Sequence, residues 1–259
     1  MQPDFDGKTC VDRSIEIMRH FEPPEGYFLA FSGGKDSVVL LELAKMADVK
    51  FDAHYNMTTI DPPEVLTFMR KHYPEVKWER PPRNFYRLLE ETHGLPVRLH
   101  RWCCAELKET GGAGRKVATG IRAAESVKRA KYGVVQPCLR GGNKVLINPM
   151  LHWTEAEVWK LIRERGLPYC SLYDEGWKRI GCICCPFEGR VKRARARWPK
   201  VFDRVLLAVQ RYWESKPEGE WHKRWRSPEE VFEWWLSRKS PYPDRLEDQE
   251  ADLFSGGME

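Results

Sequence analysis

Six consecutive residues, Ser32-Gly33-Gly34-Lys35-Asp36-Ser37, combine a backbone that an anion can approach with donors to meet it. The glycines lack the Cβ that would hold a bound group away. A helix beginning there adds unpaired N–H groups and partial positive charge, and Lys35, Ser32 and Ser37 add side-chain donors. That chemistry is a phosphate cradle. Its spacing matches neither GxxxxGK[ST] nor GxGxxG. Cysteines form the second chemical feature, with Cys103 and Cys104 adjacent and Cys182, Cys184 and Cys185 crowding a later stretch. An adjacent pair with a C-x-x-C unit offers four thiolates, a set suited to zinc or to a [4Fe–4S] cluster, and spacing leaves both open.

The cradle needs a strand to deliver it and a helix to begin under it. Residues 27–31 form a short apolar run bounded by Gly26 and Gly33, and residues 38–44 are apolar enough to pack a helix on a sheet. Upstream, Ile15, Ile17, Met18 and Phe21 give residues 12–21 an amphipathic helical spacing. Downstream, residues 50–55 are expected as a strand and 62–72 as a helix with its prolines in the first turn, where a missing N–H costs little. Residues 117–121 and 144–148 supply further strands. Thr154 to Glu157 has the capping-box spacing ahead of a helix buried through Val158, Leu161 and Ile162. The alternation predicts an α/β fold, a parallel twisted sheet with helices on both faces. From about residue 186 the composition shifts to Arg, Lys and Trp at helical spacing, which predicts a helical C-terminal extension. The expected division is an α/β domain over 1–187, a basic, Trp-rich extension over 188–240 and a flexible tail over 241–259.

With 259 residues, 42% hydrophobic and 31% charged, the chain can bury a full core and is too apolar for disorder. No apolar run approaches the roughly 20 residues of a membrane span, and MQPDFDGKTCVDRS lacks the pattern of a signal peptide. A cytoplasmic location with no membrane partner is therefore expected. In a reducing compartment, clustered cysteines favour metal ligands or reactive thiols over disulfides. The net charge of +5 is mild, but Arg190, Lys192, Arg193, Arg195, Arg197 and Lys200 concentrate it. Trp198, Tyr212, Trp213, Trp221 and Trp225 are interleaved through the 190–225 segment. Basic residues with aromatics suit a nucleic-acid backbone and unstacked bases, and a solvated basic helix over core tryptophans gives the same pattern.

Several stretches carry a family resemblance. The loop Ser32 to Ser37 resembles the PP-loop of ATP pyrophosphatases, which split ATP between its α and β phosphates and hold the pyrophosphate there. CCAELK and LYDEGWKRIGCICC resemble the CC-x-x-R/K and LYD-x-G-x-x-x-IGC-x-x-C segments of adenylylsulfate (APS) reductases. Gly120-Ile121-Arg122-Ala123-Ala124-Glu125-Ser126 resembles that family's G-[IVL]-R-x-x-[ED]-S segment. Thr58-Thr59 resembles its second nucleotide-contacting loop, and residues 148–153 its NP-[IL]-x-x-W turn. From about residue 14 to 187 the chain is thus similar to the phosphoadenosine phosphosulfate (PAPS) reductase-like group of PP-loop ATP pyrophosphatases, an adenine nucleotide alpha hydrolase-like, Rossmann-like fold.

That resemblance implies nucleotide binding by Ser32, Gly33, Gly34, Lys35, Asp36, Ser37, Thr58, Gly120 and Arg122. The Arg122 guanidinium would pair with phosphate, or else with Glu125 in a surface salt bridge. It also implies that Cys103, Cys104, Cys182 and Cys185 hold a [4Fe–4S] cluster, with zinc the alternative. Cys184 is a candidate catalytic thiol that exchanges as a ligand, carries a persulfide, or packs as a small apolar side chain. ATP chemistry implies Mg2+, with no ligand named.

Two departures sort the branch. APS and PAPS reductases end in a Glu-Cys-Gly-Leu-His segment whose cysteine attacks the sulfate sulfur, and no cysteine follows Cys185 in this sequence. Those reductases also often lack the loop lysine, which Lys35 retains. Both features point to ATP consumption, with Lys35 stabilising charge on the departing pyrophosphate. The expectation is an iron–sulfur, AMP- and pyrophosphate-forming sulfurtransferase, resembling DNA phosphorothioation and tRNA-thiolating enzymes. It would adenylylate an acceptor and transfer sulfur to it, with tRNA or DNA on the 190–225 segment and a cysteine desulfurase or another donor supplying sulfur. Two other functions compete: an APS/PAPS reductase releasing sulfite, and a non-catalytic nucleotide- or nucleic-acid-binding subunit with a structural cluster.

Overall fold

The computed structural model describes residues 6–138, 142–217 and 219–237, apart from the Glu220 side chain. The elements run α1 (Cys10–His20), β1 (Tyr27–Ala30), α2 (Lys35–Ala47), β2 (Phe51–Asn56), α3 (Pro63–His72) and β3 (Lys77–Glu79). After them come α4 (Phe85–Leu88) with a π turn (Leu89–His93), α5 (Trp102–Leu107), β4 (Lys116–Ala118), α6 (Val127–Ala130), β5 (Val135–Pro137) and β6 (Val145–Ile147). The last elements are α7 (Glu155–Glu164), α8 (Val191–Arg197), α9 (Pro199–Ser215), α10 (Glu220–Arg224) and α11 (Pro228–Ser237). None of these helices is long and apolar enough to cross a membrane, among the described residues. The expected tail at 241–259 lies outside the described residues.

The chain divides into two compact units. The first holds the described residues up to Pro82 together with Trp102–Cys182, and the second holds Arg83–Arg101 with the described residues from Ile183 on. Residues 83–101, expected within the α/β domain, belong to the helical unit.

The first unit carries a six-stranded sheet in the order β3-β2-β1-β4-β6-β5. Every neighbouring pair is parallel except β5 with β6, which is antiparallel. The strand expected over 117–121 ends at Ala118, so residues 119–122 form a loop instead. Strands β3 and β5 were not anticipated. The chain moves from β1 to β2 and β3 on one side, then returns past β1 to β4 on the other, so the strand order reverses between β1 and β4. Open α/β sheets bind ligands in the crevice at such a point, outside the carboxyl ends of the strands.

Alternation along β1 separates the two faces of the sheet. Tyr27 points toward α1, its hydroxyl donating to the Met18 carbonyl at 2.8 Å, and α1 and α7 both pack against α2. Leu29, Leu40, Leu43, Ala44, Met69 and Val158 are fully buried. Phe28 points to the opposite face, stacked on His54 with ring centroids 4.1 Å apart. A Cβ on Gly111 would lie 2.4 Å from the Phe28 ring, so the connection into β4 lies directly on it.

On this second face Asp52 is bound by Arg115, whose Nη1 donates to Asp52 Oδ2 at 2.9 Å, and by His54 Nε2. Arg115 also donates to the Gly26 carbonyl at 3.0 Å, tying β4 to the start of β1. The Arg115 hydrogen bonds, aided by His54, hold the Asp52 carboxyl well below the usual carboxylate range. Its contribution is therefore complete above the unfolded value near about 3.9 and is lost as pH falls below it. Arg115→Met is expected to lower the unfolding free energy by about 1.5–3 kcal/mol at pH 7. In urea titrations the gap to the wild type should narrow steadily below about pH 4. A gap independent of pH would contradict the pairing.

Candidate functional site

The loop Ser32 to Gly34 leaves the end of β1 and gives way to α2 at Lys35. Gly33 has φ +71°, and a Cβ there would stand 2.8 Å from Val65 Cγ1 and 3.0 Å from Met69 on α3. Both the backbone conformation and the close packing therefore require glycine. Gly34 is the N-cap of α2, with an extended backbone and no side chain to cap it. The loop is braced internally: Ser37 Oγ donates to the Gly34 carbonyl at 2.8 Å and lies 3.3 Å from Ser32 Oγ.

Lys35 is 2% exposed, and three oxygens surround its ammonium. Nζ donates to the Lys178 carbonyl at 3.2 Å and lies 3.6 Å from both Asp36 Oδ2 and Glu155 Oε1. Asp36 also accepts from Arg122 Nε at 2.6 Å. Arg122 is itself buried, and its Nη1 reaches the Trp153 carbonyl at 3.4 Å. The guanidinium thus pairs with Asp36, whereas Glu125 accepts from the Arg122 backbone N–H at 3.0 Å and is held by Arg129 and Arg179. Gly120 lets this second loop close on the first, since a Cβ there would stand 3.0 Å from the Asp36 carbonyl oxygen. The structure therefore brings Ser32 to Ser37, Gly120 and Arg122 together at the crevice between β1 and β4. Glu155 and the Lys178 carbonyl are partners with no mark in the sequence, and Asp36, expected at the nucleotide, pairs with both cations.

Thr58 lies past the end of β2 and is almost fully buried. Its N–H and Oγ1 both bond Asp61, at 2.8 and 2.7 Å, and Thr59 takes φ +64°. Cys182 Sγ lies 3.5 Å from Thr58 Oγ1. Asn148, fully buried, accepts from Thr119 Oγ1 and donates to the Gly133 carbonyl at 2.9 Å, so it braces the strand ends.

None of the eight cysteines is joined in a disulfide. Cys103 and Cys104 occupy successive positions of α5 in the first unit, with Cys182 in the same unit, and Cys184 and Cys185 fall in the second. The four assigned thiols are all half-buried, and as soft donors they have the chemistry of a thiolate-bound metal or cluster. Among the described residues no three His, Cys, Asp or Glu side chains are grouped to hold a metal ion. Cys184 is completely buried.

In the second unit, Lys192, Arg193, Arg195, Arg197 and Lys200 are exposed on α8 and the start of α9, around the buried Ala194. Arg195 pairs with Glu233 at 2.7 Å. The interleaved aromatics pack on their own neighbours: Tyr212 on Trp221 at 4.6 Å, Trp213 on His222 at 3.8 Å and Trp225 on Trp234 at 5.1 Å between centroids. The basic residues thus form surface, and the tryptophans among them form packing.

The profile of the phosphoadenosine phosphosulfate reductase domain family matches residues 26–188. The chain belongs to this family. An uncharacterized Methanocaldococcus jannaschii protein is 30% identical over 216 residues, 76% of this chain and 45% of that protein. The chain spans about half the length of the first curated relatives it matches. An adenosine 5'-phosphosulfate reductase of Staphylococcus epidermidis is 27% identical over 64% of this chain and 74% of its own length. The crystal structure of the Candida auris PAPS reductase in complex with phosphate shares the fold, with a TM-score of 0.52 and 20% identity over 70% of this chain and 97% of that one.

The two loop glycines should respond differently to a methyl group. Gly33→Ala adds both a left-handed backbone penalty and a clash with Val65, and is expected to cost about 2–4 kcal/mol. Gly34→Ala, with an extended backbone and contacts no closer than 3.4 Å, should cost less than about 1 kcal/mol. Equal denaturation midpoints for the two variants would refute this account of the loop.

Proposed function

We propose that this family member is a cytoplasmic ATP pyrophosphatase that adenylylates an acceptor and then transfers sulfur to it, with nucleic acid as the acceptor. The observation that carries the reading is the intact Lys35, buried in a glycine loop at the switch point between β1 and β4. An enzyme that only binds an already activated nucleotide has no pyrophosphate to release and no evident use for that lysine. In the proposed reaction an acceptor oxygen attacks the α phosphorus of ATP, the bond to the bridging oxygen breaks, and pyrophosphate leaves with its electron pair. Lys35 and the first amides of α2 hold the charge that builds on it. The outer sulfur of a donor's persulfide, a cysteine desulfurase being one such donor, then attacks the activated acceptor atom. The bond from that atom to the adenylyl oxygen breaks, AMP leaves, and a thiol reductant cleaves the remaining S–S bond to the donor. Gly120 keeps the Arg122 loop against the cradle, and Thr58 lines the neighbouring strand end.

Mg2+ accompanies ATP in this reading. Cys103, Cys104, Cys182 and Cys185 would hold a [4Fe–4S] cluster, which supplies a bound, redox-active site for sulfur. The exposed basic residues of α8 support a polyanionic acceptor such as tRNA or DNA, bound through its backbone. Cys184 as a persulfide carrier would require its buried segment to open.

A second reading, reduction of APS or PAPS to sulfite, is favoured by the named reductase among the relatives. One assay separates the two. Anaerobic protein given ATP, Mg2+ and tRNA or DNA is expected to release pyrophosphate, and Lys35→Ala should slow release by about 10²–10³-fold. Sulfite from APS and a thiol, with no pyrophosphate from ATP, would instead establish the reductase. The anaerobic protein is also expected to show broad visible iron–sulfur absorption that Cys103→Ser abolishes. A colourless, zinc-containing preparation would remove the cluster from the proposal.

A further inference from the structure

Tyr173 ends a short 3-10 turn, Ser171–Tyr173, that follows the buried Cys170. Its ring meets Trp159 of α7 edge-on at 5.1 Å. From there its hydroxyl oxygen accepts from the backbone N–H of Lys35 at 2.9 Å. That amide opens α2 and is one of the four at a helix start with no partner inside the helix, the donors with which such a terminus holds an anion. The phenol oxygen therefore holds a donor that a bound anion would use.

The same segment holds the lysine side chain. Lys35 Nζ donates to the Lys178 carbonyl and lies 5.4 Å from the centre of the Tyr173 ring. A Cβ on Gly34 would stand 3.5 Å from the Tyr173 hydroxyl, so the phenol lies directly on the loop. Between Tyr173 and Lys178 the chain turns through Gly176, at φ +82°. Residues 173–178 thus occupy both the amide and the ammonium that Lys35 would offer to pyrophosphate.

We propose that Tyr173 is a displaceable stand-in for phosphate, a gating residue that must leave the Lys35 amide, with Lys178 releasing the ammonium, before the phosphate chain can seat. The inference rests on the reading of this loop as a phosphate site. Displacement is favourable because an anionic oxygen forms hydrogen bonds roughly twice as strong as those of a neutral phenol. The ring contacts with Trp159 keep the segment close enough to return.

Tyr173→Phe removes the competing oxygen and keeps the ring. Titration calorimetry with inorganic pyrophosphate on the full chain should show the variant binding about three- to tenfold tighter than the wild type, the worth of one hydrogen bond. A purely structural role predicts equal or weaker binding, and that result, with the wild type binding normally, overturns the gate while leaving the phosphate site standing. If neither protein binds pyrophosphate, the phosphate site itself is refuted and the gate with it. A second measurement needs no variant. Lys178 and Arg179 are exposed, and trypsin should cut after them faster in the wild type when pyrophosphate is present. An unchanged or slower cut there overturns the proposal.

Discussion

The carboxylate of Asp36 lies between two buried cations, Lys35 on its own helix and Arg122 from the loop after β4. Burying either cation alone would cost several kcal/mol, so each persists only because this shared oxygen pair and neighbouring carbonyls satisfy it. The arrangement fixes the distance between the loops that follow β1 and β4. It works only because Gly120 brings the second loop within van der Waals reach of the Asp36 backbone. Removing Asp36 would take from Arg122 the carboxylate it bonds and leave Lys35 with Glu155 and the Lys178 carbonyl, at the crevice that the sheet topology opens.

The backbone imposes a matching constraint from below. Gly33 is pressed against Val65 and Met69, so the position of α3 decides how the loop leaves β1. Helix α3 is in turn placed by Pro63 in its first turn and by the burial of Phe68 and Met69. The loop's geometry is thus set by packing on one side and by ion pairing on the other. Within the first unit the two constraints meet at α2, whose buried residues include Lys35 as well as Leu40 and Leu43.

Much of this was legible in the sequence where the signal is local. The run of residues 27–31 into the glycine loop, the Thr154 capping box and the apolar stripe of α7 all appear as read, because each depends on neighbours three or four residues away. Strands β3 and β5 escaped because each is three residues long, at a sheet edge, and too polar or exposed to show an alternation. Arg122 shows the other limit. Its nearest acid in sequence is Glu125, yet its guanidinium bonds Asp36, 86 positions away, because the sheet places β1 beside β4. Phe85, Leu88 and Leu89 have helical spacing, but that spacing does not say which unit they join. Their place in the helical unit comes from the packing of α4 and the π turn on α9, with distant contacts added: Trp235 Nε1 on the Pro96 carbonyl, Arg211 on Glu90, and Gly94 pressed under Trp221.

The charge balance at the loop bears on what must accompany a nucleotide there. Lys35 and Arg122 are already faced by Asp36 and Glu155, so the two side-chain cations carry no excess positive charge. A triphosphate entering this crevice brings several negative charges. The amides at the start of α2 offset about half of one. A divalent cation bound to the phosphates is one charge that would offset the remainder. The proposed Mg2+ would meet this need. In the proposed reaction Lys35 would follow the leaving pyrophosphate while Arg122 stays on Asp36, so the two buried cations would differ in role, one moving with the substrate and the other structural.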